Sequence, residues 1–232
     1  MKAMVLFSGG VDSTTCLALA IQRHGLENVI PLSITYGQKH EKEMEAAEKI
    51  LEYYGLKGRT LDLSRIFQFS NCSLLVHSTQ EIPEASYAQQ LDEEPGKPVS
   101  TYVPFRNGLF LSCAASMAIS EDCGILYYGI HMDDAAGSAY PDCSSAFNSA
   151  INQAIYEGSG RQLEVKAPFV GMTKAQIVKT GLELQVPYEL TWSCYEGHEK
   201  ACGRCGTCID RRNAFLQNHV TDPVPYEVNE GE

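Results

Sequence analysis

The first twenty-five residues limit the fold more than any other stretch. An apolar run at 4–7 breaks at Ser8-Gly9-Gly10 and passes through Val11 and the acid Asp12. It then becomes a helical pattern over 13–23, in which Leu17, Ala18, Ala20 and Ile21 recur until Gly25. A buried strand that turns through glycines directly into a helix is the opening unit of an α/β sheet. The order then repeats. "NVIPLSI" (28–34) reads as a second strand; Met44, Ala47, Ile50, Leu51 and Tyr54 make a helix over 41–54 with Gly55 as its stop; "RTLDL" (59–63) is a third strand. Parallel strands joined by right-handed crossovers follow.

A polar segment with Pro83, Pro95, Gly96 and Pro98 interrupts the rhythm at 70–100, and is expected as a long loop that covers a site or meets a second copy. Beyond it come a helix near 107–121, the strand "ILYYGI" (125–130), a loop over 131–142, and a helix on Phe147, Ala150, Ile151, Ala154 and Ile155. The strand "QLEVKAPF" (162–169) follows, then a helix entered through Thr173 and Gln176 at capping-box spacing. The expected architecture is α/β: a Rossmann-like parallel sheet with helices on both faces over 1–190, a small cysteine-bearing unit over 191–220, and a loosely ordered tail over 221–232.

The bulk properties exclude several classes. No run of about eighteen apolar residues occurs, so no membrane span is expected. The N-terminal apolar run is too short for a secretion signal, which points to the cytoplasm. The net charge is −11 and no basic block exists, which argues against nucleic acid as the main partner. An anionic substrate would then be held by a few placed cations and by backbone N–H groups.

A glycine turn between strand and helix is suited to phosphate, because a helix N-terminus offers unpaired N–H groups and a positive dipole end. Gly9 and Gly10 let the backbone wrap closely, and Ser8, Ser13 and Thr14 add hydroxyls. A helix cap alone would account for Asp12 or Ser13, but not for the paired glycines and flanking hydroxyls together. The G-x-x-x-x-G-K-[ST] and G-x-G-x-x-G spacings are both absent.

Four of the nine cysteines, Cys194, Cys202, Cys205 and Cys208, form C-x7-C-x2-C-x2-C. Four thiolates so close, with Gly203 and Gly206 allowing tight turns, suit tetrahedral zinc, and a shell they fill leaves a structural role. An iron–sulfur cluster is the competing reading, and disulfides a third. His198 lies inside the long gap but is not needed to complete the shell. The metal would pin a helix over 209–218. Cys16, Cys72, Cys113 and Cys123 read as small buried thiols, and Cys143 is left open.

"SGGVDS" resembles the pyrophosphate loop of the ATP pyrophosphatase (PP-loop) superfamily, whose members cleave ATP between its α and β phosphates. With "YGQKH" (36–40), "VPFRNGLFL" (103–111), "AYPDC" (139–143) and the four late cysteines, the chain from residue 7 to about 213 resembles the 7-cyano-7-deazaguanine synthase family of queuosine biosynthesis. The resemblance implies a homodimeric ligase forming C–N bonds, which converts 7-carboxy-7-deazaguanine, ammonia and ATP to a nitrile. An adenylated carboxylate and an amide are the implied intermediates, AMP and pyrophosphate the by-products, and Mg²⁺ and one structural Zn²⁺ the metals. It implies catalytic roles for Asp12, Arg106 and Lys174, with Asp12 helping to hold Mg²⁺. The nucleotide stretch is Phe7, Ser8, Gly9, Gly10, Val11, Asp12, Ser13, Thr14, Thr15, Cys16 and Leu17. Substrate contacts fall to Tyr36, Gln38, His40, Arg106, Asn107, Tyr140 and Asp142, the last as the carboxylate that accepts from the purine-like edge. Bland alternatives stand beside these: Tyr36 as packing, Asn107 and Asp142 as helix caps, Lys174 as a solvated lysine. The stretch 131–143 is longer than in many members, and Ser144 stands where a basic residue is common. Two rival functions remain open at this point, a tRNA-thiolating PP-loop enzyme with an iron–sulfur cluster and a nucleotide-binding module without turnover.

Overall fold

Strand β1 (Lys2–Leu6) is the axis of a five-stranded parallel sheet. It is flanked by β2 (Val29–Thr35) and β4 (Cys123–Tyr127), with β3 (Arg59–Asp62) and β5 (Glu164–Lys166) at the edges. The computed structural model describes residues 1–39, 41–93, 97–136 and 139–227, with the backbone alone at 87 and 88. The order β3-β2-β1-β4-β5 means that the chain winds outward from β1, then returns to pair on its other side. Val5 is in register with Pro31 on one side and Tyr127 on the other. The switch point therefore lies between the C-terminal ends of β1 and β4, where open α/β sheets form a crevice.

Alternate residues of β1 feed two cores. Ala3 and Val5 join Cys16, Leu17 and Ala20 of α1 (Val11–His24), Ala47 and Ile50 of α2 (Lys42–Tyr54), and Ile177 of α7 (Lys174–Glu183). Met4 joins Leu32, Leu126, and Leu111, Ala114 and Ala118 of α4 (Arg106–Ser120), with Phe147 and Ile151 of α6 (Ser145–Gly158) packed alongside. Helices thus cover both faces, as the uninterrupted apolar strands require. Among the described residues no helix is long and apolar enough to cross a membrane.

Four expectations need correction. The strands at 125–130 and 162–169 are shorter than their apolar runs. Tyr128, Ile130 and Phe169 are buried beyond the ladders, and burial rather than pairing explains their apolarity. The segment 70–100 is not a plain loop: it contains α3 (Tyr87–Glu93) and a buried stretch, Cys72 to Leu75, whose Leu75 bridges Gln38. The loop at 131–142 contains α5 (Met132–Ala135) and leads into a 3₁₀ turn at Pro141–Cys143. Helices this short leave no periodicity to read.

The fourth concerns the tail. Residues 221–227 pack rather than trail: Ala201 pairs with Tyr226, and Tyr226 donates its hydroxyl to Asp222 at 2.6 Å. Arg211, on α8 (Gly206–Gln217), holds this together. Its guanidinium grips Asp222 through Nε (2.7 Å) and Nη2 (2.9 Å), and it donates to Thr191 Oγ1 at 2.8 Å and Tyr188 O at 3.1 Å. The Arg211 and Asp222 side chains are only 2% and 5% exposed. The last five residues, 228–232, lie outside the described residues. Arg211→Met strands a buried carboxylate, and is expected to cost about 3–5 kcal/mol in denaturant unfolding. Pairing it with Asp222→Leu should recover much of that loss, because no unpaired charge is left.

Candidate functional site

A cavity of about 250 Å³ opens where β1, β2 and β4 end. Its phosphate-sized end is built by the turn after β1. Gly9 has φ +85°, and a Cβ there would lie 2.6 Å from Ala47 N and 2.7 Å from Glu43 O, so the turn is pressed onto α2 in a way only glycine permits. Trp192 N–H donates to Gly9 O at 3.0 Å from the opposite side. Thr14 Oγ1 donates to Gly10 O at 2.7 Å, and Ser13 Oγ accepts Ser8 N–H at 3.2 Å. Among the described residues no side chain caps α1, and its first turn, Val11 to Ser13, lines the cavity, an arrangement suited to an anion.

Asp12, in the first turn of α1, sits among charges. Its Oδ2 accepts a hydrogen bond from Lys174 Nζ and lies 3.7 Å from His131 Nε2, while its buried Oδ1 has no partner among the described residues. Burial opposes ionisation of Asp12, but Lys174 and His131 outweigh it and hold the carboxyl below its ordinary value. His131, with a side chain 6% exposed, also approaches Asp134 Oδ2 at 3.3 Å, and its Nδ1 has no partner among the described residues. Asp133 Oδ2 accepts the backbone N–H of Lys174 at 2.8 Å. Burial pushes Asp134 up and pushes Asp210 up to about 6. An anionic pocket edge with one free carboxylate oxygen suits a hard divalent cation bound jointly with phosphate.

The other end of the cavity is aromatic. The Arg106 guanidinium lies 5.5 Å from the Tyr36 ring centroid and 5.9 Å from that of Phe110. Leu32, Ile34, Met44, Leu74 and Tyr195 add walls, and Gln38 Oε1 accepts Tyr36 N–H at 3.0 Å. A flat heteroaromatic ring fits such a slot.

The residues singled out from sequence divide. Phe7, Ser8, Gly10, Val11, Asp12 and Ser13 line the cavity, as do Tyr36, Gln38, Arg106, Asn107, Tyr140 and Lys174. Gly9 shapes the turn from behind. Thr14 and Thr15 are buried and spend their hydroxyls on Gly10 O and Val11 O, while Cys16 and Leu17 point into the core. His40 lies outside the described residues. Asp142 is the clearest correction. It is 4% exposed, does not line the cavity, and its Oδ2 accepts Asn107 N–H at 2.8 Å, capping the start of α4. The cap of α6 is Ser144, whose Oγ accepts from Phe147 N–H at 3.1 Å. Asn107 answers with Nδ2 to Asp142 O at 3.3 Å and to Cys143 Sγ at 3.2 Å. Sequence reasoning missed His131, Asp134, Asp210 and Glu43, all in the cavity wall. For His131 and Asp134 a signal existed, since they directly follow β4 at the switch point.

The four late cysteines meet. Their sulfurs all lie within 4.8 Å of one another and all four residues are buried, a group able to hold a metal ion. Backbone N–H groups of Cys202 and Glu196 point at Cys194 Sγ at 3.3 and 3.4 Å, and Cys205 N–H at Cys202 Sγ at 3.4 Å. Such donors stabilise thiolate ligands. His198 stays outside, bonded to Glu227 at 2.8 Å.

A family model described as queuosine biosynthesis protein QueC matches residues 2–219. A 7-cyano-7-deazaguanine synthase of Archaeoglobus fulgidus is 42% identical over 97% of this chain and 90% of its own length. One of Caldicellulosiruptor saccharolyticus is 42% identical over 98% of this chain and 96% of its own. Among solved structures, the U34-tRNA thiolase NcsA of Methanococcus maripaludis, with its [4Fe-4S] cluster, aligns with a TM-score of 0.52 at 15% identity. The alignment covers 94% of this chain and 66% of that one, a likeness of fold. For the cysteine centre, Cys205→Ser is expected to lower tightly bound metal from about one equivalent to near zero by elemental analysis, and to make α8 sensitive to protease.

Proposed function

The chain belongs to the queuosine biosynthesis protein QueC family, and from that premise we propose that it is an ATP-dependent 7-cyano-7-deazaguanine synthase. One observation carries the reading: a glycine turn suited to phosphate and the Asp12–Lys174 pair share a single cavity with an aromatic slot under Arg106. The likeness to a tRNA thiolase extends to the fold alone, and a chain of net charge −11 without a basic block is a poor partner for RNA.

The reaction runs in two activations. A carboxylate oxygen of 7-carboxy-7-deazaguanine attacks the α-phosphorus of ATP, and the bond to the bridging oxygen breaks to release pyrophosphate. Ammonia adds to the acyl carbon, loses a proton, and AMP departs with the C–O electron pair to leave the amide. The amide oxygen then attacks the α-phosphorus of a second ATP and expels a second pyrophosphate; loss of the remaining nitrogen protons and departure of AMP with the C–O electron pair leave the C≡N bond. The protein's part is positioning and charge. The turn at Ser8–Gly10 and the open end of α1 receive the departing pyrophosphate. Lys174 and Arg106 offset the negative charge that gathers between nucleotide and carboxylate. Asp12 Oδ1 and the phosphate oxygens are fitted to hold Mg²⁺, which would neutralise pyrophosphate as it forms.

Zinc at Cys194, Cys202, Cys205 and Cys208 is part of the same proposal, supported by four buried cysteine sulfurs within 4.8 Å of one another, the number of ligands a structural zinc would take. So is a homodimer, for which the exposed Ile66, Phe69 and Val76 supply apolar surface. A cytoplasmic setting agrees with nine free cysteines. Incubation with 7-carboxy-7-deazaguanine, ammonium and Mg·ATP should yield nitrile with two AMP and two pyrophosphate per turnover; release of ADP and orthophosphate instead would overturn the reading. Asp12→Asn should lower kcat/KM by about 10²–10³-fold while the protein stays folded.

A further inference from the structure

Among the described residues two carboxylates lining the cavity, Glu43 and Asp210, make no hydrogen bond or ion pair; Asp210 belongs with Lys174 and His131, Glu43 with the aromatic slot. Glu43 lies in the first turn of α2, the helix that Gly9 is pressed against, and lines the cavity with Tyr36, Gln38, Arg106 and Phe110. Among the described residues its carboxylate makes no hydrogen bond and no ion pair. Burial pushes it up to about 7 against the pull of Arg106, as befits an acceptor short of donors. Gln38 lines the same cavity with a fixed orientation. Its Oε1 is taken by Tyr36 N–H, so its amide NH₂ is the part left for a ligand. Beside the Arg106 guanidinium the aromatic slot therefore presents a neutral donor in Gln38 and a two-oxygen acceptor in Glu43.

A guanine-like edge is the complement of that pair: a carbonyl oxygen that accepts, then a ring N–H and an exocyclic amino group that both donate. An adenine edge offers one donor and one bare ring nitrogen, and a carboxylate facing that nitrogen would set lone pair against lone pair. Asp142, the carboxylate that the sequence put forward for this recognition, is already spent on Asn107 N–H outside the cavity. We propose that Glu43 is the specificity-determining residue for the base. It accepts from the ring N–H and the 2-amino group of the 7-deazaguanine ring while Gln38 donates to the carbonyl oxygen. The proposal rests on the synthase reading and assigns within it the residue that separates a guanine-type base from the adenine of ATP.

The test compares binding of 7-cyano-7-deazaguanine with that of its counterpart lacking the 2-amino group, by calorimetry without ATP, in wild type and Glu43→Gln. Wild type should favour the amino-bearing base by at least about 30-fold, the worth of a charge-assisted hydrogen bond. Glu43→Gln should weaken that base by a similar factor and the deaminated one far less, so that the preference collapses, while the Kd for ATP, measured by calorimetry, changes within about twofold. A preference that survives the substitution overturns the proposal, as does a loss that falls on ATP rather than the base. Should Glu43→Gln fold poorly by thermal melting, the wild-type preference still decides, since its absence is incompatible with a carboxylate reading the amino group. Affinity is read without turnover, so a failure to form nitrile would strike the synthase reading separately.

Discussion

The contact between Gly9 and α2 governs the site. With Ala47 N and Glu43 O within 2.7 Å of where a Cβ would stand, the turn after β1 lies directly on the second helix. Two consequences follow from the one approach. The phosphate end of the cavity acquires a wall of backbone rather than side chain, and the first turn of α2 is drawn alongside the slot where a ring can lie. A side chain at position 9 would be strained by its φ of +85° and would also part these walls. The glycine-turn end and the aromatic end of the cavity are thus set at a fixed separation by main-chain packing, which is how a rigid scaffold can orient two reactants.

The cysteine centre belongs to the same frame. The chain leaves Thr191, whose carbonyl and hydroxyl are both met by Arg211, and bonds Trp192 N–H to Gly9 O before reaching Cys194. Trp192, Ser193, Tyr195, Thr207 and Asp210 then line the cavity. A metal that fixes Cys194 against Cys208 would therefore fix one side of the active site as well as α8. Closing this side with a metal knot and a buried Arg211–Asp222 pair suits a region with few large apolar side chains of its own.

What was legible in the sequence follows from the range of each interaction. The strands around β1 are buried on both faces, so each stood out as an apolar run, and the cysteine spacing is local. The roles of Asp142 and Glu43 were not legible, because each depends on a partner brought up by the fold. Asp142 finds its donor at Asn107, 35 positions earlier. Glu43 sits among the polar positions of an amphipathic helix, and helical period alone assigns such positions to solvent. Only the pressed turn at Gly9, seen in three dimensions, shows that this part of α2 faces a cavity. The tail misled for a similar reason: Pro223, Pro225 and nearby acids look like an unstructured end, yet Asp222 answers a buried arginine on α8.

Lys174 brings these threads together. A cation at the first position of a helix lies against the positive end of its dipole and is disfavoured there. Nothing local offsets this, since the capping box of α7 uses Thr173 and Gln176 with no acid in the first turn. The compensation comes from across the cavity. Asp133 takes the Lys174 backbone N–H, and Asp12 takes its ammonium. Lys174 is thus held by two carboxylates from the two arms of the switch point, its ammonium by Asp12 of β1–α1 and its backbone N–H by Asp133 after β4, so the pair ties the two sides of the crevice together. Because Asp12 already shares the charge of Lys174, the site attracts phosphate less than a bare lysine would. On the proposed reaction, in which pyrophosphate would leave twice in each cycle, that moderation would be an advantage: grip enough to stabilise a leaving group, and weak enough to let it go.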